Sequence, residues 1–247
     1  MSIKEIPEIL SKFEEYLRST ERPSVEITFK QTETLPWESK CGGCPYLESE
    51  ADYPRDEDNR PMMFLAQINL DDMPHLDDFP EHGLLQFYIG DDDIYGGDSA
   101  CRVIYISDYK KDASALLSKN PFESGYKSMM PFTDEGKMIF EPSTRFICTE
   151  CEEFFDKFHD KVTDEEYDAL YDLCYAEGSC AGGYPLFVQS SPAYYDDGEC
   201  DTLLLQLDCD DECGIMFGDA GNCFFLISKE DLKNRNFDNV EYGWQCC

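Results

Sequence analysis

The chain has 247 residues, of which 53 are Asp or Glu and 20 are Lys or Arg, so its formal net charge is −33. Nucleic-acid binding needs clustered Lys and Arg, and an anionic membrane surface repels an acidic protein, so neither is expected as a partner. A basic protein is the partner that this charge would attract, although an acidic surface can also serve solubility alone.

The sequence predicts a cytoplasmic protein. No stretch approaches the roughly 20 apolar residues that span a bilayer. Residues 1–8 carry acids and a proline where a signal peptide has an apolar run. The 13 cysteines are an odd number in a long chain, which favours free thiols over a disulfide framework.

In chain order, the first predicted element is an amphipathic helix over residues 3–18, where apolar residues recur at helical spacing. Alternation and turn residues then predict strands over 25–29, 62–70, 83–90 and 101–106, with a turn at Asp91-Asp92-Asp93 and Gly96-Gly97. The proline-containing segment 110–149 is predicted to be irregular.

A second helix is predicted to begin after Thr163. Thr163 and Glu166 have the spacing of a capping box, and Gly178 is the expected end. Its predicted apolar stripe is Tyr167, Leu170, Tyr171 and Cys174. Further strands are predicted over 202–209, 214–218, 222–227 and 240–244, with a short helical turn at 228–232.

One pattern occurs twice in the chain. A Gly-Gly-x-Pro turn, an apolar strand containing Gln and a second apolar strand follow each other at 42–45, 64–69 and 83–89, and again at 182–185, 203–208 and 221–227. Such matched spacing indicates one supersecondary unit used twice. We therefore predict a single α+β domain over 1–247, a β-rich body with peripheral helices. Repeat one covers about 29–107, a connecting segment 108–178, and repeat two about 179–245.

The repeated strands carry the candidate ligand-binding residues. Side chains alternate along a strand, so Gln67 and Asn69 share a face, as do Gln206 and Asp208. Two hypotheses follow: both glutamines line one cleft between the repeats, or each satisfies backbone groups of its own Gly-Gly-x-Pro turn. With the glycine-flanked Asp219, the predicted residues are Gln67, Asn69, Gln206, Asp208 and Asp219.

Metal and cofactor sites are not predicted. Cys41-x-x-Cys44 and Cys148-x-x-Cys151 have the form of zinc knuckles, but more than 100 residues separate them. The acidic run from 208 to 219 resembles a calcium loop, but its glycine is shifted and strands flank it, so a tight turn is favoured.

Several motifs together resemble a known family. Phe-Leu-Ala-Gln-Ile-Asn-Leu, Gly-Leu-Leu-Gln-Phe-Tyr-Ile, Leu-Leu-Leu-Gln-Leu-Asp and Phe-Gly-Asp-Ala-Gly occur in this order after the first Gly-Gly-x-Pro turn. This set is similar to the YwqG-like family of intracellular proteins, over about 29–244. The biochemical function of that family is unknown, so the resemblance implies a β-rich α+β fold and no activity. Cys41 and Cys44 are not part of the family pattern, which argues against a metal there.

The leading functional prediction is a non-enzymatic binding or protein-interaction module. The alternative is a small-molecule-binding protein or hydrolase that uses a cleft around Gln67 and Gln206. No nucleophile elbow, phosphate-binding loop or His-Glu-x-x-His motif is present, so the sequence leaves enzyme activity undecided.

Overall fold

The computed structural model describes residues 4–92, 94–97, 101–126 and 130–247. Its strands are β1 Arg22–Gln31, β2 Lys40–Cys41, β3 Met63–Asn69, β4 Leu84–Ile89, β5 Arg102–Ile106, β6 Gly136–Arg145, β7 Ser179–Gly182, β8 Thr202–Leu207, β9 Asn222–Ile227 and β10 Glu241–Gln245. They form one antiparallel sheet of ten strands in the order β10-β9-β8-β7-β1-β6-β2-β3-β4-β5.

The helices are short and lie outside the sheet. They are α1 Glu14–Thr20, α2 Glu152–Phe158, α3 Asp164–Cys174, α4 Ala193–Asp196 and α5 Lys229–Asn234, with 3-10 turns at Glu8–Phe13, Glu50–Asp52, Ala113–Ala115 and Glu123–Gly125. Among the residues described, no helix is both long and apolar enough to cross a membrane.

The N-terminal helix begins later than predicted. Ile3 lies outside the described residues, and the chain enters a 3-10 turn at Glu8 before α1 starts. Pro7 explains the late start, because a proline disfavours helical conformation in the residue before it. Leu10 and Leu17 are the buried apolar residues of this segment.

The prediction for α3 is confirmed at its start and wrong at its end. Thr163 and Glu166 form the complete capping box. The helix ends at Cys174, four residues before Gly178, and its buried side is Leu170, Leu173 and Cys174. Tyr167 and Tyr171 are 42% and 36% exposed, so the predicted stripe was placed too far round the helix.

The strand predictions hold for most of the sheet, with two corrections. Residues 214–218 form no strand and only the isolated bridges Asp210–Ile215 and Phe217–Gly221. The segment predicted to be irregular contains the ten-residue strand β6. On one side of β6, Pro142 lies opposite Val25 of β1. On the other side, β2 pairs with β6 only at Gly136 and Lys137, so no strand there needs the N–H that Pro142 lacks. Asp93 of the predicted turn lies outside the described residues.

The sheet is strongly curled. The rings of Phe87 on β4 and Phe225 on β9 lie 5.0 Å apart, although six strands separate β4 from β9 in the sheet. The two edges also approach each other, because Cys101 Sγ donates to Val240 O at 3.2 Å. The concave face therefore encloses the main hydrophobic core, to which both ends of the sheet contribute.

Two further clusters cover the convex face. Leu203 and Phe224 pack beneath α1, α2 and α3, against residues such as Leu17 and Phe158. Phe64 and Tyr88 pack beneath the loops at the other end of the sheet. The side chains of β3 and β8 that point away from the main core are therefore also buried.

The long strands β1 and β6 lie side by side in the middle of the sheet. They pair over ten residues, from Arg22 opposite Arg145 to Gln31 opposite Gly136. On its other side β1 pairs with β7, which is far away in sequence, while β6 pairs with β2. Both central strands are thus paired with strands that are distant from them in sequence.

Candidate functional site

Gln67 lies on the convex side of β3 and has no exposed surface. Its Oε1 accepts from Tyr46 N and Gln86 Nε2, both at 2.9 Å. Its Nε2 donates to Pro36 O at 2.8 Å and Glu38 O at 3.0 Å. An amide has two donor hydrogens and one acceptor oxygen with two lone pairs, so its full capacity is used here.

Gln206 has the same arrangement on β8. It is also fully buried, and its Oε1 accepts from Leu186 N at 2.6 Å. Its Nε2 donates to Ala176 O at 3.1 Å and Gly178 O at 2.7 Å. In both cases the oxygen binds the amide directly after a Gly-Gly-x-Pro turn, and the nitrogen binds two carbonyls shortly before that turn.

The next polar residue on each strand is fixed in a related way. Asn69 N donates to Ser39 Oγ at 2.8 Å, and Asp208 N donates to Ser179 Oγ at 2.9 Å. Asn69 is fully buried, whereas the Asp208 carboxylate is half-buried. Asp219 is exposed, and its carbonyl accepts from the backbone N–H of the C-terminal residue.

The structure therefore groups Gln67 with Asn69 and Gln206 with Asp208, but it does not bring the two groups together. Four strands lie between β3 and β8. Within the described parts of the chain, no side-chain hydrogen bond joins one network to the other. Both amides are fully buried and bonded to backbone groups of neighbouring loops.

A buried cation lies beside each glutamine network, which sequence reasoning did not identify. Arg145 Nη1 and Nη2 donate to Ala176 O at 2.6 Å and Gly178 O at 3.1 Å, the two carbonyls that Gln206 also binds. Lys40 Nζ donates to Leu35 O at 2.8 Å, and burial lowers the pKa of Lys40 to about 8. Both cations follow polar residues, Glu38-Ser39 before Lys40 and Ser143-Thr144 before Arg145, so no local pattern indicates that they are buried.

The two Cys-x-x-Cys pairs lie in different parts of the fold. Cys41 faces the main core, while Cys148 and Cys151 lie in the cluster beneath the helices. No group of three or more metal-ligating side chains occurs among the residues that the structure describes. In the acidic segment, Asp210 Oδ1 accepts from Cys213 N at 3.0 Å, which is the local bonding of a tight turn.

Helix α3 presents an exposed surface with two parallel rows, which we call the α3 face. Both rows have the four-residue spacing that aligns side chains along a helix. One row is aromatic and consists of Tyr167, Tyr171 and Tyr175, and the other is acidic and consists of Asp164, Asp168 and Asp172. The rings of Tyr171 and Tyr175 stack with centroids 5.1 Å apart, which makes the aromatic row continuous.

Carboxylates from other segments lie near the tyrosine row of the α3 face, while Lys12 pairs with Glu166 of the same helix. Burial, Tyr171 and Asp208 raise the pKa of Tyr175, in that order, and Glu177 also raises it. Burial and then the nearby Glu150 raise the pKa of Tyr171. Residues 164–178 contain six acids and no Lys or Arg. The spacing of these rows was visible in the sequence, but Tyr167 and Tyr171 were assigned to the core.

Comparison with known proteins gives a family and no activity. The family model described as "Domain of unknown function (DUF1963)" matches residues 39–246, which is most of the chain. No match was found among curated proteins. The match includes both Gly-Gly-x-Pro turns and both glutamine strands. By sequence and extent of match, the chain belongs to the DUF1963 family of domains of unknown function.

Proposed function

We propose that the protein is a non-enzymatic interaction module that binds a Lys- and Arg-rich segment of a partner protein on the α3 face. The observation that carries the proposal is the pair of rows, in which Tyr167, Tyr171 and the half-buried Tyr175 lie beside three exposed aspartates, with no basic residue in 164–178. Carboxylates attract the cationic head groups, and tyrosine rings bind ammonium and guanidinium groups through their faces.

The expected affinity is modest and depends on salt. An exposed ion pair contributes about 0.2–1 kcal/mol, and an exposed cation–π contact about 0.5–1 kcal/mol. Several such contacts, less the cost of ordering the peptide, correspond to a Kd between about 1 μM and 1 mM. Because the contacts are exposed, the affinity should fall as ionic strength rises.

A basic peptide of about nine residues, with alternating Arg and Gly, tests this proposal by calorimetric titration at low and high salt. In one variant, Tyr167→Leu with Tyr171→Leu keeps apolar bulk and removes the aromatic faces. This should weaken binding about 5–30-fold, which corresponds to about 1–2 kcal/mol. Asp168→Asn with Asp172→Asn should also weaken it.

The matched control is Glu48→Gln with Glu50→Gln. It also removes two negative charges, but from exposed positions in another part of the fold. This control should bind like the parent. If the control loses as much affinity as the α3 variants, the attraction comes from the overall charge and the α3 face is not the site.

The alternative small-molecule or hydrolase function has less support. Its proposed cleft requires Gln67 and Gln206 to be accessible, and both are fully enclosed with their amide groups bonded to protein. The half-buried Asp208 lies close to Tyr175 and instead adds negative charge to the α3 face.

We further infer that the chain is an internal duplication. The support is that the partners of Gln67, at Pro36 O, Glu38 O and Tyr46 N, lie 140 positions before those of Gln206. Bulges also occur at matching places, between Phe64 and Ala66 and between Leu203 and Leu205. An experimental structure in which 42–89 and 182–227 do not superpose would contradict this inference.

Two other proposals concern identity and location. We take the DUF1963 family to be the YwqG-like family that the motifs resemble, since the match covers the same turns and strands. We place the protein in the cytoplasm. All 13 cysteines lie in the described part of the chain and are free thiols, which suits a reducing compartment.

A further inference from the structure

Cys148 and Cys151 form a contacting pair of thiols in front of α2. Cys151 Sγ donates to Cys148 O at 3.1 Å, and the two thiols lie close enough for each to shift the pKa of the other. Two residues separate them in a tight turn, the spacing at which neighbouring thiols can close a small disulfide ring.

Cys151 is the member of the pair that borders a cavity, although only 5% of its surface is exposed. It lines an open cavity of about 490 Å³. The nearby Cys148 thiol lowers the pKa of Cys151, and so does the N–H of Phe154, while burial, Glu153 and Asp196 oppose the shift. Burial and the contact with Cys151 raise the pKa of Cys148. Of the two sulfurs, the one next to the cavity is therefore the one that ionises more readily.

The cavity has a strong negative charge. Five of its lining side chains are carboxylates, namely Glu152, Glu153, Asp156, Asp196 and Asp201. Its single cation is Arg22, which stacks on the Tyr184 ring at 4.1 Å and lies 3.9 Å from Asp201. The positive charge of Arg22 is thus already engaged, and a molecule in the cavity meets uncompensated carboxylates.

We propose that Cys148 and Cys151 are a redox-active dithiol whose cavity accepts small, positively charged disulfides. The Cys151 thiolate attacks one sulfur of the disulfide, so that its S–S bond breaks, one thiolate leaves and a mixed disulfide forms on Cys151. Cys148 then loses its proton, and its thiolate attacks Cys151 Sγ and expels the second thiolate. The protein dithiol is oxidised to a disulfide, and the incoming disulfide is reduced to two thiols.

A second thiol pair in the same chain provides an internal control. The sulfurs of Cys41 and Cys213 also lie next to each other, both against Gly136, but both residues lie within the main core with no exposed surface. Burial holds the pKa of Cys41 well above its ordinary value. The proposal therefore predicts that contact between thiols is insufficient for reaction, and that the native protein oxidises only the pair that borders the cavity.

The test compares three disulfides of different charge on the folded, reduced protein. They are cystamine, which is cationic, bis(2-hydroxyethyl) disulfide, which is neutral, and glutathione disulfide, which is anionic. Peptide mass spectrometry after acid quenching locates each product, in a background where the surface thiols Cys209, Cys246 and Cys247 are replaced by Ser.

The expected order of rates is cystamine, then the neutral disulfide, then glutathione disulfide. At low ionic strength, cystamine should react at least about tenfold faster than glutathione disulfide. This ratio of rates should shrink in about 1 M salt. Cystamine should produce a Cys148–Cys151 disulfide. The Cys148→Ser variant should stop at the mixed disulfide on Cys151, and Cys151→Ser should leave Cys148 unmodified.

Charge variants complete the test. The double variant Glu152→Gln with Asp156→Asn should bring the reaction rates of the three disulfides closer together. The control Glu48→Gln with Glu50→Gln should leave the ratios of these rates unchanged. Oxidation of Cys41 and Cys213 as fast as that of Cys148 and Cys151 would overturn the proposal, as would an unreactive Cys151 in the folded parent. Equal rates for all three disulfides would overturn the preference for a cationic substrate.

Discussion

Replacing the two buried glutamines by leucine should destabilise the protein by different amounts. Gln67→Leu withdraws the acceptor of Tyr46 N and the donors of Pro36 O and Glu38 O. It also removes one of the two acceptors of Gln86 Nε2. Leucine is similar in length and fills most of the space, so the main loss is that of hydrogen bonds.

Gln206→Leu should be milder because a neighbour covers part of the loss. Ala176 O and Gly178 O, which accept from Gln206, also accept from Arg145. Leu186 N loses its Gln206 Oε1 acceptor, which Arg145 cannot replace because a guanidinium only donates. Both substitutions replace Gln by Leu. The difference between their losses of unfolding free energy therefore measures how far Arg145 compensates for the missing Gln206 donor at Ala176 O and Gly178 O.

The magnitudes follow from the cost of leaving buried polar groups without partners. One such group costs about 1–3 kcal/mol. We expect Gln206→Leu to lose about 1–2 kcal/mol of unfolding free energy and Gln67→Leu about 3 kcal/mol or more. For a chain of this size, 1 kcal/mol corresponds to about 2–4 °C in Tm.

Chemical denaturation of both variants, with thermal melts alongside, measures the difference. Gln31→Leu is the matched control, since this glutamine is exposed at the end of β1, and its stability should stay within about 0.5 kcal/mol of the parent. Unchanged stability in Gln67→Leu would refute the structural role assigned to the amide. A loss in Gln206→Leu as large as in Gln67→Leu would refute the compensation by Arg145.

Three further predictions concern pH, thiols and the helix cap. Burial raises the pKa of Cys101, Cys174 and Cys180 to about 12 from an ordinary 9.0. Since these folded values are raised, the stability they confer is present below pH 9 and is lost as pH rises. These three thiols alone should lower the unfolding free energy by about 4 kcal/mol per pH unit above 9. The buried Cys41 and Cys223, whose pKa values are also raised, steepen the decline, and Lys40, whose pKa is lowered, partly offsets it; urea unfolding from pH 8 to 10 measures the net slope. Thiol titration should find all 13 cysteines in the unfolded protein, with the exposed Cys209 and Cys247 reacting first in the native state, and recovery of only one or two would contradict free thiols. Thr163→Ala should cost about 0.5–2 kcal/mol because Glu166 N loses its Thr163 Oγ1 acceptor, and a melt identical to that of the parent would count against the cap.

The sequence predicted those features that depend on neighbouring residues. The capping box of Thr163 and most strands of the sheet follow from local patterns. Strand β6 was missed because Pro142 normally argues against a strand, and only the sheet order shows that one side of β6 is free there.

For the candidate site, sequence alternation correctly placed Gln67 with Asn69, but their partners depend on the whole fold. Nothing local indicates that convex-face side chains are covered by loops, or that Arg145 shares the carbonyls bound by Gln206. In the same way, the Cys148-x-x-Cys151 motif is visible in the sequence, while the acidic cavity beside it is assembled from distant segments.

The position of β1 has a practical consequence for choosing fragments of this family. The family match begins at residue 39, after the end of β1, yet β1 lies between β6 and β7. A fragment cut at the start of the match would lack β1. Its sheet would be divided into a four-stranded piece ending at β7 and a five-stranded piece beginning at β6, each with a newly exposed edge. Unpaired edges template aggregation. Expression trials designed from the family boundaries alone should therefore give insoluble material, and a start before Arg22 should restore solubility.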